Sequence, residues 1–161
     1  MADASDLGPA GGLAPAADPH DLGRFLEAQE GVHERALEEV RQGRKRSHWM
    51  WFVFPQIEGL GSSSTSRRYS IKSVAEAEAY LAHPVLGRRL TEAVEAVLGV
   101  EGRSAHDIFG SPDDMKLRSC VTLFTHVSPP GSVFERVLDK YFHGEPDPRT
   151  LRLLGADSGN A

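Results

Sequence analysis

The sequence predicts an all-α protein, a compact single-domain bundle of about six to eight helices with several of them short. Three observations predict it. Ser73, Ser104, Ser111 and Ser132 are each followed three residues later by an acid, and each pair leads into a run of apolar residues at steps of three and four. That is the capping-box signature of a helix start. A long apolar stripe near the N-terminus has the same period. Only Trp49 to Phe54 is continuously apolar, and as a lone strand it would have no partner.

The elements follow in order. Leu22, Phe25, Leu26, Gln29, Val32, Ala36, Leu37 and Val40 form one stripe and predict one long helix, with Asp21 as its cap and Gly43 as its left-handed stop. Its last turn and exit carry Arg41, Arg44, Lys45 and Arg46, which suit the negative end of a helix dipole. Trp49 to Phe54 reads as a short buried helix ending at Pro55. Ser73 and Glu76 open a helix that ends near His83, because Pro84 disfavours helical geometry in the residue before it. Pro84 suits the first turn of the next helix, whose stripe is Val85, Leu86, Leu90, Val94, Val97 and Leu98, closed by Gly99. Ser104 and Asp107 open a short turn ending at Gly110. Ser111 and Asp114, with Pro112 in the first helical position, lead to Leu117, Cys120, Val121 and Phe124. Ser132 and Glu135 lead to Phe134, Val137, Leu138, Tyr141 and Phe142, and Gly144 ends that run. A last short helix runs from Pro148 to Leu154 with Asp147 as cap. One domain thus fills 21–155, and the stretches 1–20 and 156–161, without periodicity, read as disordered tails.

Composition narrows the function classes. With 40% hydrophobic and 25% charged residues the chain is ordinary for a globular domain, and 161 residues suffice to bury a core. A net charge of −5 makes nucleic acid an unlikely partner, since such proteins present a basic face. No run reaches the length of a membrane span, no signal peptide opens the chain, and Cys120 is the single cysteine, so the expected location is the cytoplasm. The seven histidines show no metal-ligand spacing, and neither a metal nor a cofactor is expected.

Three segments carry candidate chemistry. The run from His48 to Gln56 holds both tryptophans. Trp49 or Trp51 can stack a base, while His48 and Gln56 flank the block as hydrogen-bonding groups; the same aromatics can equally fill a core. On a helix Trp49, Phe52 and Val53 share one side and Trp51 points elsewhere. The stretch Glu58 to Tyr69 has two glycines, many hydroxyls and Arg67-Arg68, in composition like a phosphate-cradling loop, yet it lacks the Walker, dinucleotide and nucleophile-elbow patterns. The plain alternative is a polar surface loop. In Asp113 to Ser119, the acids suit a first helical turn, while Lys116 and Arg118 can meet a phosphate or a carboxylate.

Together the runs Phe25-Leu26-Glu27-Ala28-Gln29, Ser47 to Gln56 with Gly59-Leu60-Gly61, Tyr69, Glu76-Ala77, Tyr80-Leu81, His83-Pro84-Val85-Leu86-Gly87, Ile108-Phe109-Gly110 and Lys116-Leu117-Arg118-Ser119 resemble the bacterial domain-of-unknown-function family 1810. The resemblance covers about Asp21 to Leu154, and His48 to Gln56 is its most specific part. It implies a mainly helical fold and supplies no activity. The loop Gly61 to Ser66 departs from the family pattern in being poor in Met.

The functional expectation is a small-molecule protein, binding protein or enzyme, for a nucleotide or ADP-ribose-like ligand. Its site would draw on His48, Trp49, Trp51, Gln56, Arg67, Tyr69, Lys116 and Arg118, with His48 or Asp114 as acid/base if there is catalysis. The competing expectation is a helical protein-interaction module using the basic exit at Arg41 to Arg46. The third and weakest is nucleic-acid binding through Arg44, Lys45, Arg46, Arg67 and Arg68.

Overall fold

The computed structural model describes residues 17–157; most of the two expected tails, 1–16 and 158–161, lies outside the described residues. Among the described residues the chain is helical, with α1 Gly23–Gln29, α2 His33–Arg41, α3 Met50–Val53, α4 Ser64–Arg68, α5 Val74–Ala82, α6 Leu86–Gly99, α7 Ala105–Phe109, α8 Asp113–His126, α9 Val133–Phe142 and α10 Pro148–Asp157. Ten helices exceed the expected six to eight for two reasons. The long first helix breaks at Gly31, whose φ of +74° no helix interior accepts. The serine-rich stretch expected as open loop contains α4, capped by the Ser63 hydroxyl on the Ser66 amide.

The predicted caps divide by where their carboxylates go. Ser104 and Asp107 close a reciprocal box. Ser73 and Ser132 cap their helices, but Glu76 and Glu135 accept from the amides of Lys72 and Gly131. Asp147 caps α10 through the Thr150 amide at 3.0 Å. Gly43 supplies the left-handed stop at φ +81°. Two expected caps are corrected. Asp21 is itself left-handed, at φ 51°, so Asp18 caps α1 through the amides of Leu22 and Gly23 at 2.8 and 2.9 Å. Ser111 stands outside α8; Pro112 occupies the N-cap position, and the Asp114 carboxylate turns forward to the Met115 amide.

The core is organised around α8. Its Leu117, Cys120, Val121, Leu123 and Phe124 are wholly buried, and it packs on α7, α9 and α10 while α6 joins α2, α5 and α9. Helices α5 and α6 meet so closely that a Cβ on Gly87 would lie 2.1 Å from the Leu81 carbonyl oxygen. The aromatic block enters this core edge-first. Trp49 and Phe54 are buried and tilt against Phe109, whereas Trp51 and Phe52 remain half-buried. The pairing of Trp49 with Val53 on one side holds; Phe52 instead turns to Tyr69, 5.4 Å between ring centres.

Two buried charges brace this arrangement. Arg24 donates to the carbonyls of His20, Asp21, Arg68 and Ser70 and to the Glu76 carboxylate, all within 2.6–2.7 Å. It thereby ties α1 to α5 and to the end of α4. Glu39 accepts from the Arg46 and Ser47 amides, the Ser47 hydroxyl and the Trp49 indole. Burial pushes its carboxyl up, but the Ser47 hydroxyl, the Arg46 amide, the Trp49 indole and the Ser47 amide together bring it down to about 2. No helix among the described residues is long and apolar enough to cross a membrane.

Arg24→Met leaves a charged Glu76 buried without its partner, a change expected to cost about 3–5 kcal/mol by urea denaturation. The double variant Arg24→Met/Glu76→Leu should recover only part of this loss, because the carbonyls of Arg68 and Ser70 stay unpaired; full recovery would show that the ion pair alone matters. Glu39 has its folded pKa below the ordinary value, so its contribution is complete above about pH 4.5 and is lost as pH falls towards 2. Denaturation midpoints of Glu39→Gln measured across that window should lie below wild type at neutral pH and converge with it in acid.

Candidate functional site

Helix α3 ends at Val53, and the chain passes through Pro55 to Gln56, where it meets the far end of the serine-rich loop. The amide of Ile71 donates to the Gln56 carbonyl and the amide of Glu58 to that of Ile71, each at 2.8 Å, forming a single parallel bridge between Ile57 and Ile71. The bridge pins both ends of the segment 58–70. The segment then folds back over Trp51, and glycine allows it to do so. A Cβ on Gly61 would lie 2.8 Å from Ser66 Oγ, 2.9 Å from Ser66 Cβ and 3.3 Å from the Trp51 ring. Arg149 of α10 donates to the Leu60 carbonyl at 3.2 Å and holds the fold-back from the other side.

Two hollows share Trp51, Gln56 and Leu60 as a common wall. One is a void of about 10 Å³ under the loop, bounded also by Gly61, Ser66 and Arg67, with room for about one water. The other is an open cleft of about 370 Å³ between α3, the first turns of α8 and the start of α10. Pro112, Met115, Lys116 and Ser119 form one side of the cleft, and Asp147 and Arg149 form the other. Met115 at the cleft edge is 45% exposed.

The polar groups in the cleft have unequal partners. Lys116 lies 4.1 Å above the Trp51 ring and 3.0 Å from Asp113, which also holds Lys45 at 2.9 Å. Partial burial works against the Asp113 charge, yet hydrogen bonds from Lys45 and Lys116 keep its carboxyl below the usual range. Asp147 Oδ2 accepts from Ser119, the Thr150 amide and the Thr150 hydroxyl, which makes this oxygen a structural acceptor. Gln56 differs from both. It is only 6% exposed, and its Nε2 is buried with no hydrogen-bond partner among the described residues.

Of the residues expected at a site, the structure brings Trp51, Gln56 and Lys116 together at the cleft, and places Arg67 at the adjoining void. Four others are elsewhere. Trp49 is 1% exposed, with its indole committed to Glu39, so it cannot stack a ligand. Tyr69 packs on Phe25 and Phe52. Arg118 donates to the carbonyls of Glu145 and Pro146, and the partner it needs is therefore the chain's own turn. His48 is exposed at the entrance to α3 and lines neither hollow. Asp114, the other acid/base expectation, faces His106 at 3.5 Å and the Met115 amide. Arg149 and Asp147 also line the cleft and are not among the residues expected from the sequence. Asp147 was legible as a cap, and Arg149 stands two residues beyond it on the first turn of α10. No cluster of His, Cys, Asp and Glu suited to a metal occurs among the described residues.

Gly61→Ala is expected to cost about 1–3 kcal/mol, because the added methyl meets Ser66 and pushes the loop from Trp51. In a Ser66→Gly background the same substitution should cost little, and a double-mutant cycle on thermal unfolding reads the coupling directly. Equal costs in both backgrounds would mean that the loop does not lie against Trp51 as described.

Comparison with known proteins places this geometry in a family. The model described as Protein of unknown function (DUF1810) matches residues 19–154. The crystal structure of the conserved hypothetical protein Rv1873 from Mycobacterium tuberculosis, at 1.38 Å, is similar with 52% sequence identity and a TM-score of 0.84, covering 86% of this chain and 99% of that one. Among curated proteins there is no match. With the family model spanning the helices from α1 to α10 and their shared cleft, the chain belongs to the DUF1810 family.

Proposed function

We propose that this protein binds a small anionic molecule carrying a flat heterocycle, a nucleotide or ADP-ribose-like compound, in the cleft between α3, α8 and α10. The observation that carries the reading is the side-chain amide of Gln56. A buried donor without a protein partner costs about 1–3 kcal/mol unless a water in the adjoining void or a ligand completes it. An amide offers a donor and an acceptor side by side, the pattern that pairs with the edge of a base. Trp51 beside it is half-buried, and a base that displaces Lys116 from 4.1 Å above its ring can stack there, worth about 1–3 kcal/mol per base in single-strand binders. Lys116 and Arg149 supply positive charge at the same cleft.

Binding without catalysis is the form that the lining supports. Asp147 is the carboxylate of the cleft, and its Oδ2 is held by three hydrogen bonds. His48 and Asp114, the two expected acid/base groups, stand outside the lining, and Lys116 is engaged by Asp113.

Titration with AMP and ADP-ribose under tryptophan fluorescence tests this reading. Wild type should show a saturable change that Trp51→Phe abolishes, since buried Trp49 remains as the silent emitter. Gln56→Met should weaken binding about 3- to 10-fold, the worth of one neutral hydrogen bond. The same variant should match or exceed wild type in thermal stability without ligand, because it removes an unpaired donor. Loss of stability would make Gln56 a structural residue. No response from either compound at millimolar concentration, with the protein folded, would turn the search to protein partners.

A further inference from the structure

Another hollow, of about 480 Å³, lies where the chain enters α1 and meets the end of α4. Arg24 forms its floor, and Arg67, Arg68 and Lys72 stand around it with His20. Four cations here face two carboxylates, Asp21 and Glu76, in a chain whose net charge is −5. The floor does not neutralise the rim. Glu76 is consumed by Arg24 at 2.6 Å and by the Lys72 amide, so its charge is met from within the fold.

The rim cations are held differently. Arg67 donates to the Ser62 carbonyl, and Arg68 reaches the Tyr69 hydroxyl at 3.3 Å. Lys72 meets the Arg67 carbonyl and the Ser70 hydroxyl, with the exposed Glu58 at 3.5 Å as its one carboxylate. These acceptors are mostly neutral, and an anion can replace them with bonds in which both partners are charged. Arginine forks match the paired oxygens of a phosphate, and a lysine adds a point charge. Two guanidinium groups and one ammonium around one hollow exceed what a single carboxylate would engage.

We infer that this hollow is a binding site for a diphosphate group, with Arg67, Arg68 and Lys72 as its ligands and the Arg24–Glu76 pair as its rigid floor. Asp21, left-handed at the edge, has its carbonyl fixed by Arg24 at 2.7 Å, which keeps the entry turn in place. The site is separate from the Trp51 cleft, and Arg68 and Lys72 line this hollow alone of the two. Arg67 borders both this hollow and the small void beside Gln56.

Inorganic pyrophosphate is the probe, followed on the full-length protein by amide chemical shifts and by calorimetry. Saturable shifts are expected at residues 20–21 and 67–72, with Arg68→Ala/Lys72→Ala weakening binding at least about tenfold, the equivalent of 1.4 kcal/mol. Arg68→Ala alone, a change at an exposed side chain, covers the case in which the double variant fails to fold. Absence of shifts at millimolar pyrophosphate, an unchanged affinity in the variants, or an equal response to sulfate at matched ionic strength would each overturn the site. ADP separates two sources of the group: tighter binding than pyrophosphate assigns it to a nucleotide, and equal binding assigns it to free diphosphate. The Trp51 fluorescence response to AMP, read in the same variants, stays independent of this outcome.

Discussion

The guanidinium of Arg24 is the constraint on which the loop over Trp51 and the hollows beside it depend. A buried arginine is tolerable only when its charge and its donors are satisfied, and here one carboxylate and four carbonyls meet it. Two of those carbonyls, from Arg68 and Ser70, belong to the segment that returns to Ile71 and its bridge with Ile57. Arg24 therefore anchors one end of the loop that covers Trp51, while Arg149 holds the other end at Leu60.

Charge also decides which tryptophan faces inward. Trp49 carries an indole N–H that must find an acceptor when buried, and Glu39 provides one at 2.9 Å. Lys45 approaches the same ring at 5.0 Å and continues to Asp113. Asp113 then holds Lys116, which caps the face of Trp51. A single carboxylate thus links the lysine of the inner tryptophan to the lysine of the outer one. The alternation of buried Trp49 and half-buried Trp51 follows from these partners as much as from helical phase, because α3 is only one turn long.

Local features were legible in the sequence to the extent that their causes are local. Ser73, Ser104, Ser132 and Asp147 cap helices because a side chain and an amide three residues apart meet through short-range geometry. The apolar stripe of the first helix was read correctly as a buried face, yet the helix breaks within it. Leu22, Phe25, Ala36, Leu37 and Val40 all remain in the core across the break at Gly31, so the periodic signal survives where the backbone turns. The serine-rich stretch concealed α4 because no apolar face marks it, only a cap. The partners of buried charge were invisible for another reason. Arg24 and Glu76 are 52 positions apart, and no spacing rule joins residues that meet only after folding. The site was half legible on the same grounds: Trp51, Gln56 and Lys116 advertised themselves by type, whereas Trp49 and Arg118 were claimed by distant groups.

The allocation of cations separates structure from availability. Arg24 is paired with Glu76 inside the fold, whereas Lys45 and Lys116 share the single carboxylate of Asp113, which leaves a net positive charge beside the cleft. Lys45, only 9% exposed in its side chain, is removed from the basic exit of α2 that an interaction face would need. Arg67, Arg68 and Arg149 instead rest on carbonyl or hydroxyl oxygens at the surface. A neutral acceptor at the surface contributes little, since water competes for the same donor, and an anion with two or more oxygens competes far better. The unpartnered Gln56 amide lies between the cleft with Arg149 and the void with Arg67. Arg67, Arg68, Arg149 and the Gln56 amide, with neutral acceptors or none, stand around the void, the cleft and the hollow at the entry to α1.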